Sequence, residues 1–188
     1  MTPTPRGRGG PSPPPANVVL IGFTGAGKTT VGALLAQRLG RAHFDVDEAI
    51  EERLGAIPAF VASHGVPAFR AAERVIIREC LPPRGAVVSA GAGSVLPQLT
   101  RRLLCRGAQV FFIDAPAAVL AARLSALPAE RRHRPDLAQG DAAAAIGAEL
   151  EARRALYEKL GVRIDGTPPA GVVADAVLGH LATRAAGA

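Results

Sequence analysis

Three short clusters hold the side chains able to move charge. Lys28 and Thr29 close the run Gly22-Phe23-Thr24-Gly25-Ala26-Gly27-Lys28-Thr29, which fits G-x-x-x-x-G-K-[ST] without a mismatch. Glycines at this spacing let successive backbone N–H groups converge on a polyphosphate. A helix starting at Lys28 would add the positive end of its dipole. Lys28 would bring a mobile cation to the outer phosphates, and the Thr29 hydroxyl would be a Mg2+ ligand. The candidate nucleotide-binding residues are therefore Gly25, Ala26, Gly27, Lys28, Thr29 and Thr30.

The second cluster is Phe44-Asp45-Val46-Asp47. In an extended chain its two carboxylates lie on one side, so one can serve a metal ion while the other takes a proton from an acceptor hydroxyl. Equally, Asp47 can do no more than cap the helix that follows. The third is Phe69-Arg70-Ala71-Ala72-Glu73, where i,i+3 spacing on a helix suits a plain surface ion pair. Alternatively, Arg70 grips a substrate carboxylate with both arms and Glu73 holds it in place. Further arginines at 123, 131, 132, 134, 153 and 154 supply cations of the kind phosphoryl transfer demands.

Positioning these groups requires an α/β frame. Apolar runs at Val18–Ile21, Ala42–Phe44, Ala86–Ala90, Gln109–Ile113 and Val162–Ile164 read as buried strands. Helical patterns separate them: Lys28–Leu39 stopping at Gly40, a stretch to Leu54, Pro58–His64, Pro67–Leu81, Pro97–Cys105, Pro116–Ala126, Asp141–Leu160 capped by Asp141, and Ala170–Thr183. Short continuous strands between helices predict a parallel five-stranded sheet with helices on both faces, a three-layer P-loop NTPase fold. Strand carboxyl ends in such sheets face the ligand crevice, where Asp45 and Asp47 fall. Residues 1–16, rich in Pro and Gly, read as a disordered tail, 17–183 as one P-loop domain with a mobile lid at about 127–140, and 184–188 as a flexible end.

Composition narrows the partners. A formal charge of +6 suits an anionic ligand, but only Lys28 and Lys159 are lysines and aromatics make up 4% of the chain. Scattered arginines without stacking residues argue against nucleic acid. No apolar run approaches the ~18 residues of a membrane span, and no signal-peptide pattern opens the chain, so a cytoplasmic, monomeric protein is expected. Cys80 and Cys105 form no C-x-x-C pair, and the four histidines are dispersed, which argues against a zinc site.

Taken together, the glycine loop, FDVD at 44–47, FRAAE at 69–73, VVSAGAG at 87–93, RP at 134–135 and ARRALY at 152–157 resemble the shikimate kinases from about Asn17 to Thr183. The resemblance implies a nucleoside-monophosphate-kinase-like fold and MgATP-dependent phosphorylation of the shikimate 3-hydroxyl, in aromatic amino-acid biosynthesis. It implies that Asp47 binds and activates the acceptor hydroxyl and that Asp45 helps hold Mg2+ beside Thr29. Arg70 and Arg153 would bind the substrate carboxylate, and Gly91, Ala92 and Gly93 would form the substrate turn. Arg134 would reach the phosphates from the lid, and Arg123 would touch the nucleotide. The family pattern has three glycines where this chain has Gly91-Ala92-Gly93, and a middle position needing φ > 0 or very close backbone approach would cost Ala92 about 1 kcal/mol. Val66 and Asp136 also depart from the pattern. Two other readings fit the same motifs: a paralogous kinase for another hydroxy acid or polyol, and a non-catalytic ligand-sensing domain.

Overall fold

The computed structural model describes residues 15–127 and 142–186. Its centre is a sheet of five parallel strands in the order β2-β3-β1-β4-β5. The strands are β1 (Val18–Ile21), β2 (His43–Asp45), β3 (Val87–Ser89), β4 (Gln109–Asp114) and β5 (Val162–Asp165). The helices are α1 (Lys28–Leu39), α2 (Val46–Leu54), α3 (Ile57–Cys80), α4 (Gln98–Cys105), α5 (Ala117–Ala126), α6 (Ala142–Leu160) and α7 (Ala170–Ala186).

Strand order and the right-handed crossover rule fix which face each helix covers. The chain moves one way from β1 to β2, carrying α1 to one face, then reverses for every later crossover. Helices α2 to α6 therefore cover the other face. The contacts agree: α1 packs on α7 and β3, whereas α2 packs on α3, α3 on α4, and α5 on α6. Strands buried on both sides must be apolar throughout, and Val18, Val19, Leu20 and Ile21 are all buried, as are Phe111, Phe112 and Ile113.

The predicted elements stand to within a few residues, with two refinements. The helices read as 58–64 and 67–81 are both present and abut within α3, separated by a kink at Gly65, whose φ of 81° and ψ of 163° interrupt the helical run just before Pro67. Strand β2 ends at Asp45, so Asp47 belongs to the first turn of α2 and not to an extended segment. Asp141 and the lid from residue 128 onward lie outside the described residues, as does most of the expected N-terminal tail. Among the described residues no helix is long and apolar enough to cross a membrane.

Candidate active site

Strand β1 delivers the chain into the glycine loop at the carboxyl edge of the sheet. Gly22 lies so close to the Ile113 carbonyl that any Cβ there would overlap it, which ties the loop to β4. The Ala26 N–H then closes back on the Phe23 carbonyl at 3.2 Å, and α1 begins after Gly27. Lys28 is buried, with its Nζ donating to the Phe23 carbonyl at 2.9 Å. Burial lowers its pKa, and the charges of Asp47 and then Asp45 oppose that shift. The lysine thus lies inside the field of both carboxylates.

Asp45 divides its two oxygens. Oδ1 accepts the backbone N–H groups of Asp47 at 3.0 Å and Glu48 at 3.3 Å, which makes Asp45 the N-cap of α2. Oδ2 accepts the Thr29 hydroxyl at 2.7 Å. The capping role considered for Asp47 therefore belongs to Asp45, because α2 starts at Val46 and Asp47 already lies in its first turn. Asp47 and Asp45 line one cavity of 380 Å³ together with Thr24, Gly25, Gly27, Lys28, Thr29, Thr30, Ala90, Ala92 and Arg123.

The turn after β3 forms the cavity's far wall. A methyl at Gly91 would stand 2.5 Å from Asp47 Oδ1 and 2.6 Å from Ser94 Oγ, and one at Gly93 would overlap the Arg70 guanidinium. Asp47 and Arg70 thus lie flat against two glycines of a single turn. Ala92 between them is not strained, since among the described residues no residue other than glycine has positive φ. The cost foreseen for a positive φ at Ala92 does not arise.

Arg70 and Glu73 are not a surface pair. Glu73 is only 1% exposed and holds Arg70 Nη1 at 2.8 Å through Oε2, while its Oε1 accepts the Ser94 hydroxyl at 2.7 Å. A buried carboxylate with both oxygens engaged fixes the guanidinium it holds. From α6, Arg153 reaches across to stack over the Phe23 ring at 5.2 Å and pairs with Glu149. Its neighbour Arg154 turns away to Asp114, which also binds Arg163. Arg123 lies beside the glycine loop and donates to the carbonyls of Gly166 and Thr167. Arg131, Arg132 and Arg134 lie outside the described residues.

A match to the shikimate kinase family model runs from residue 24 to residue 179. The chain belongs to the shikimate kinase family. It is 41% identical over 167 residues to a shikimate kinase of Oleidesulfovibrio alaskensis, covering 88% of this chain and 96% of that one. A shikimate kinase of Corynebacterium glutamicum is 41% identical over 168 residues, covering 87% and 95%. Among solved structures, the shikimate kinase from Acinetobacter baumannii in complex with shikimate superposes with a TM-score of 0.82 at 28% identity, covering 90% of this chain and 94% of that chain. The fold is thus that of the family's P-loop kinases, and the chain is an ATP-dependent phosphotransferase.

Within this shikimate kinase fold, several positioning groups escaped the sequence reading. Tyr157 is the only tyrosine of the chain, is fully buried, stacks on Phe112, and donates its hydroxyl to the Ala92 carbonyl at 2.6 Å. Burial raises its pKa, while a hydrogen bond with Arg153 and the charges of Arg153 and Arg70 pull it down, so both arginines converge on this phenol. The signal available was a lone tyrosine four residues after Arg153, one helical turn along the same face. Beneath α1, Ser89 donates to the Lys28 carbonyl at 3.0 Å and His43 Nε2 lies 2.9 Å from the same hydroxyl. Because the serine proton is already committed, Nε2 must be the donor in that contact.

Proposed function

We propose that the chain transfers the γ-phosphoryl group of ATP to the 3-hydroxyl of shikimate. One observation carries this: the phosphate loop and Asp47 line a single cavity, and the turn that backs Asp47 also backs Arg70. Phosphate at one end and a carboxylate clamp at the other leave the acceptor hydroxyl between them.

In this reading Arg70, held by Glu73, and Arg153, held over Phe23, grip the substrate carboxylate and so fix which hydroxyl faces the phosphates. Asp47 accepts that hydroxyl's proton as the oxygen–phosphorus bond forms and the bond to the leaving ADP oxygen breaks. Lys28 and the loop N–H groups take up charge that develops on the transferring group. Gly91, Ala92 and Gly93 shape the pocket floor, and Arg123 contacts the nucleotide. Arg134 is assigned to the phosphates on the family resemblance alone. Thr29 and Asp45 present hard oxygen donors 2.7 Å apart beside the loop, a set that fits Mg2+. When bound, that ion neutralises phosphate charge and orients the β- and γ-groups. We read the enzyme as cytoplasmic, in keeping with the free thiols of Cys80 and Cys105.

The deciding assay is ADP release from MgATP with shikimate, run beside a panel of other hydroxy acids and polyols. Saturable shikimate-dependent turnover is expected. Folded protein that turns over another acceptor but not shikimate would replace this reading with the paralogue one. Nucleotide binding without turnover of any acceptor would favour the sensing domain.

A further inference from the structure

Helix α6 presents Arg153 to Phe23 and Tyr157 to Ala92, yet its apolar packing does little to fix how it is turned about its own axis. The helix is rich in alanine, and of its side chains only Ile146, Leu150 and Tyr157 are buried. Where it packs on α5, Gly147 lies beside the Ala117 methyl, one small residue against another. Bulky ridges seated in grooves set the orientation of a packed helix, and a smooth face leaves its rotation weakly specified.

An ion pair supplies what the packing lacks. At 3.6 residues per turn the three buried side chains fall within a sector of about 40°, with Arg153 and Arg154 on its opposite flanks. Arg154 Nη1 crosses to the end of β4 and donates to Asp114 Oδ2 at 2.7 Å. Asp114 is a fixed anchor. Its side chain is 4% exposed, it pairs with Asp165 in the sheet, and its carbonyl accepts the Gly166 N–H at 2.7 Å. Arg163 Nε reaches the same Oδ2 at 2.8 Å, so the carboxylate serves two cations through one oxygen, while Oδ1 is buried without a partner. The other partner of Arg154, Glu151, rides on the same helix and cannot tie α6 to the sheet. Fixing a register in this way is the best-attested use of a buried ionic group.

We infer that Asp114 is a positioning residue: through Arg154 it sets the rotation of α6 and so the place of Arg153, which on the reading above grips the substrate carboxylate. The ion-pair partner of Arg153, Glu149, turns with the same helix and so cannot hold the guanidinium over Phe23 by itself. A rotation of about 10° at the rim of a helix about 10–12 Å across moves a side-chain head by about 1 Å. A displacement of about 1 Å is enough to disable a group whose work is orientation.

The chain has one tyrosine and no tryptophan, so the near-ultraviolet circular dichroism of the full chain reads the seat of Tyr157 on α6 without any ligand. Asp114→Ala and Arg154→Gln should each change that tyrosine band while the far-ultraviolet spectrum holds. Arg163→Gln, which takes the other cation from Asp114 but leaves α6 tied, should not change it. In kinetics, Asp114→Ala and Arg154→Gln should each raise KM for shikimate by about tenfold, with ADP affinity within about threefold of the parent. In an Arg153→Ala background the same substitutions should add less than about threefold, because they act through a group already removed. A tyrosine band that neither variant moves, an unchanged KM, or a full further loss in the Arg153→Ala background overturns the inference. So does an equal effect from Arg163→Gln. Should Asp114→Ala fail to fold, Arg154→Gln, made at a side chain 25% exposed, decides alone. A moved band in a chain whose parent turns over no shikimate leaves the setting of α6 standing and sinks the proposed function. Shikimate turnover with an unmoved band does the reverse.

Discussion

Replacing Gly91 by alanine tests whether the turn after β3 sets the place of Asp47, the carboxylate proposed as proton acceptor. The added methyl would stand 2.5 Å from Asp47 Oδ1 and 2.6 Å from Ser94 Oγ, where ordinary van der Waals contact begins at 3.4 Å. Relief requires Asp47 to retreat by the difference, 0.9 Å, or the turn to move by as much. Gly91 is not among the glycines with positive φ, so the substitution carries no backbone penalty of its own and reports on the contact alone. A misplacement near 1 Å at a reacting group costs about 10²-fold in rate. We therefore expect kcat for shikimate to fall by about 10²-fold, with an overpacking cost to stability of about 1–3 kcal/mol. The first is read from steady-state ADP release and the second from urea unfolding, with ADP affinity measured alongside to show that the phosphate loop is intact. A well-folded Gly91→Ala enzyme with kcat within about threefold of the parent would refute the placement of Asp47 against this turn.

Three further outcomes follow from the same geometry. Asp47→Asn should lose most of kcat while calorimetric ADP affinity holds, because the proton acceptor goes but the phosphate cradle stays. Arg70→Ala should weaken shikimate binding by about 2 kcal/mol, seen as a raised KM, and a kinetically silent variant would return Arg70 to an ordinary ion pair. Tyr157→Phe should cost about 1 kcal/mol near neutral pH through the lost bond to Ala92. Its pH dependence has a definite sign. Burial holds the folded phenol above its ordinary 10.0, so the native state keeps a proton that the unfolded chain releases. Stability from this group is full below 10.0 and declines as pH rises through the folded value, so the parent should lose more stability than the variant in alkaline denaturation series.

Much of this was legible in the chain itself. The G-x-x-x-x-G-K-[ST] loop, the five apolar strands and the intervening helices are local patterns, and each lies within a few residues of its expected bounds. Asp45 and Asp47 were recognisable as a pair, and the family resemblance gave each a role, but spacing alone did not show which of them caps α2. That depended on β2 ending at Asp45, and a one- or two-residue shift in a strand end moves a side chain from sheet to helix. The burial of Glu73 was hidden because i,i+3 spacing is identical on a surface and in a core; only the approach of Ser94 distinguishes them. Asp114 lies one residue past the strand read as Gln109–Ile113, and nothing local marks it out. Its two arginine partners lie forty or more residues away, a contact only the folded chain creates.

The alternation in Gly91-Ala92-Gly93 has a consequence for redesign. The outer two positions are closed to side chains by Asp47 and Arg70, but Ala92 holds its turn through its carbonyl and lines the cavity. Position 92 is thus the place where acceptor preference can be retuned while Asp47 and Arg70, the proposed proton acceptor and carboxylate clamp, keep their seats. A small library of Gly, Ser, Val and Thr at this one site, screened against hydroxy acids of graded bulk, would sample pocket volume along a single coordinate.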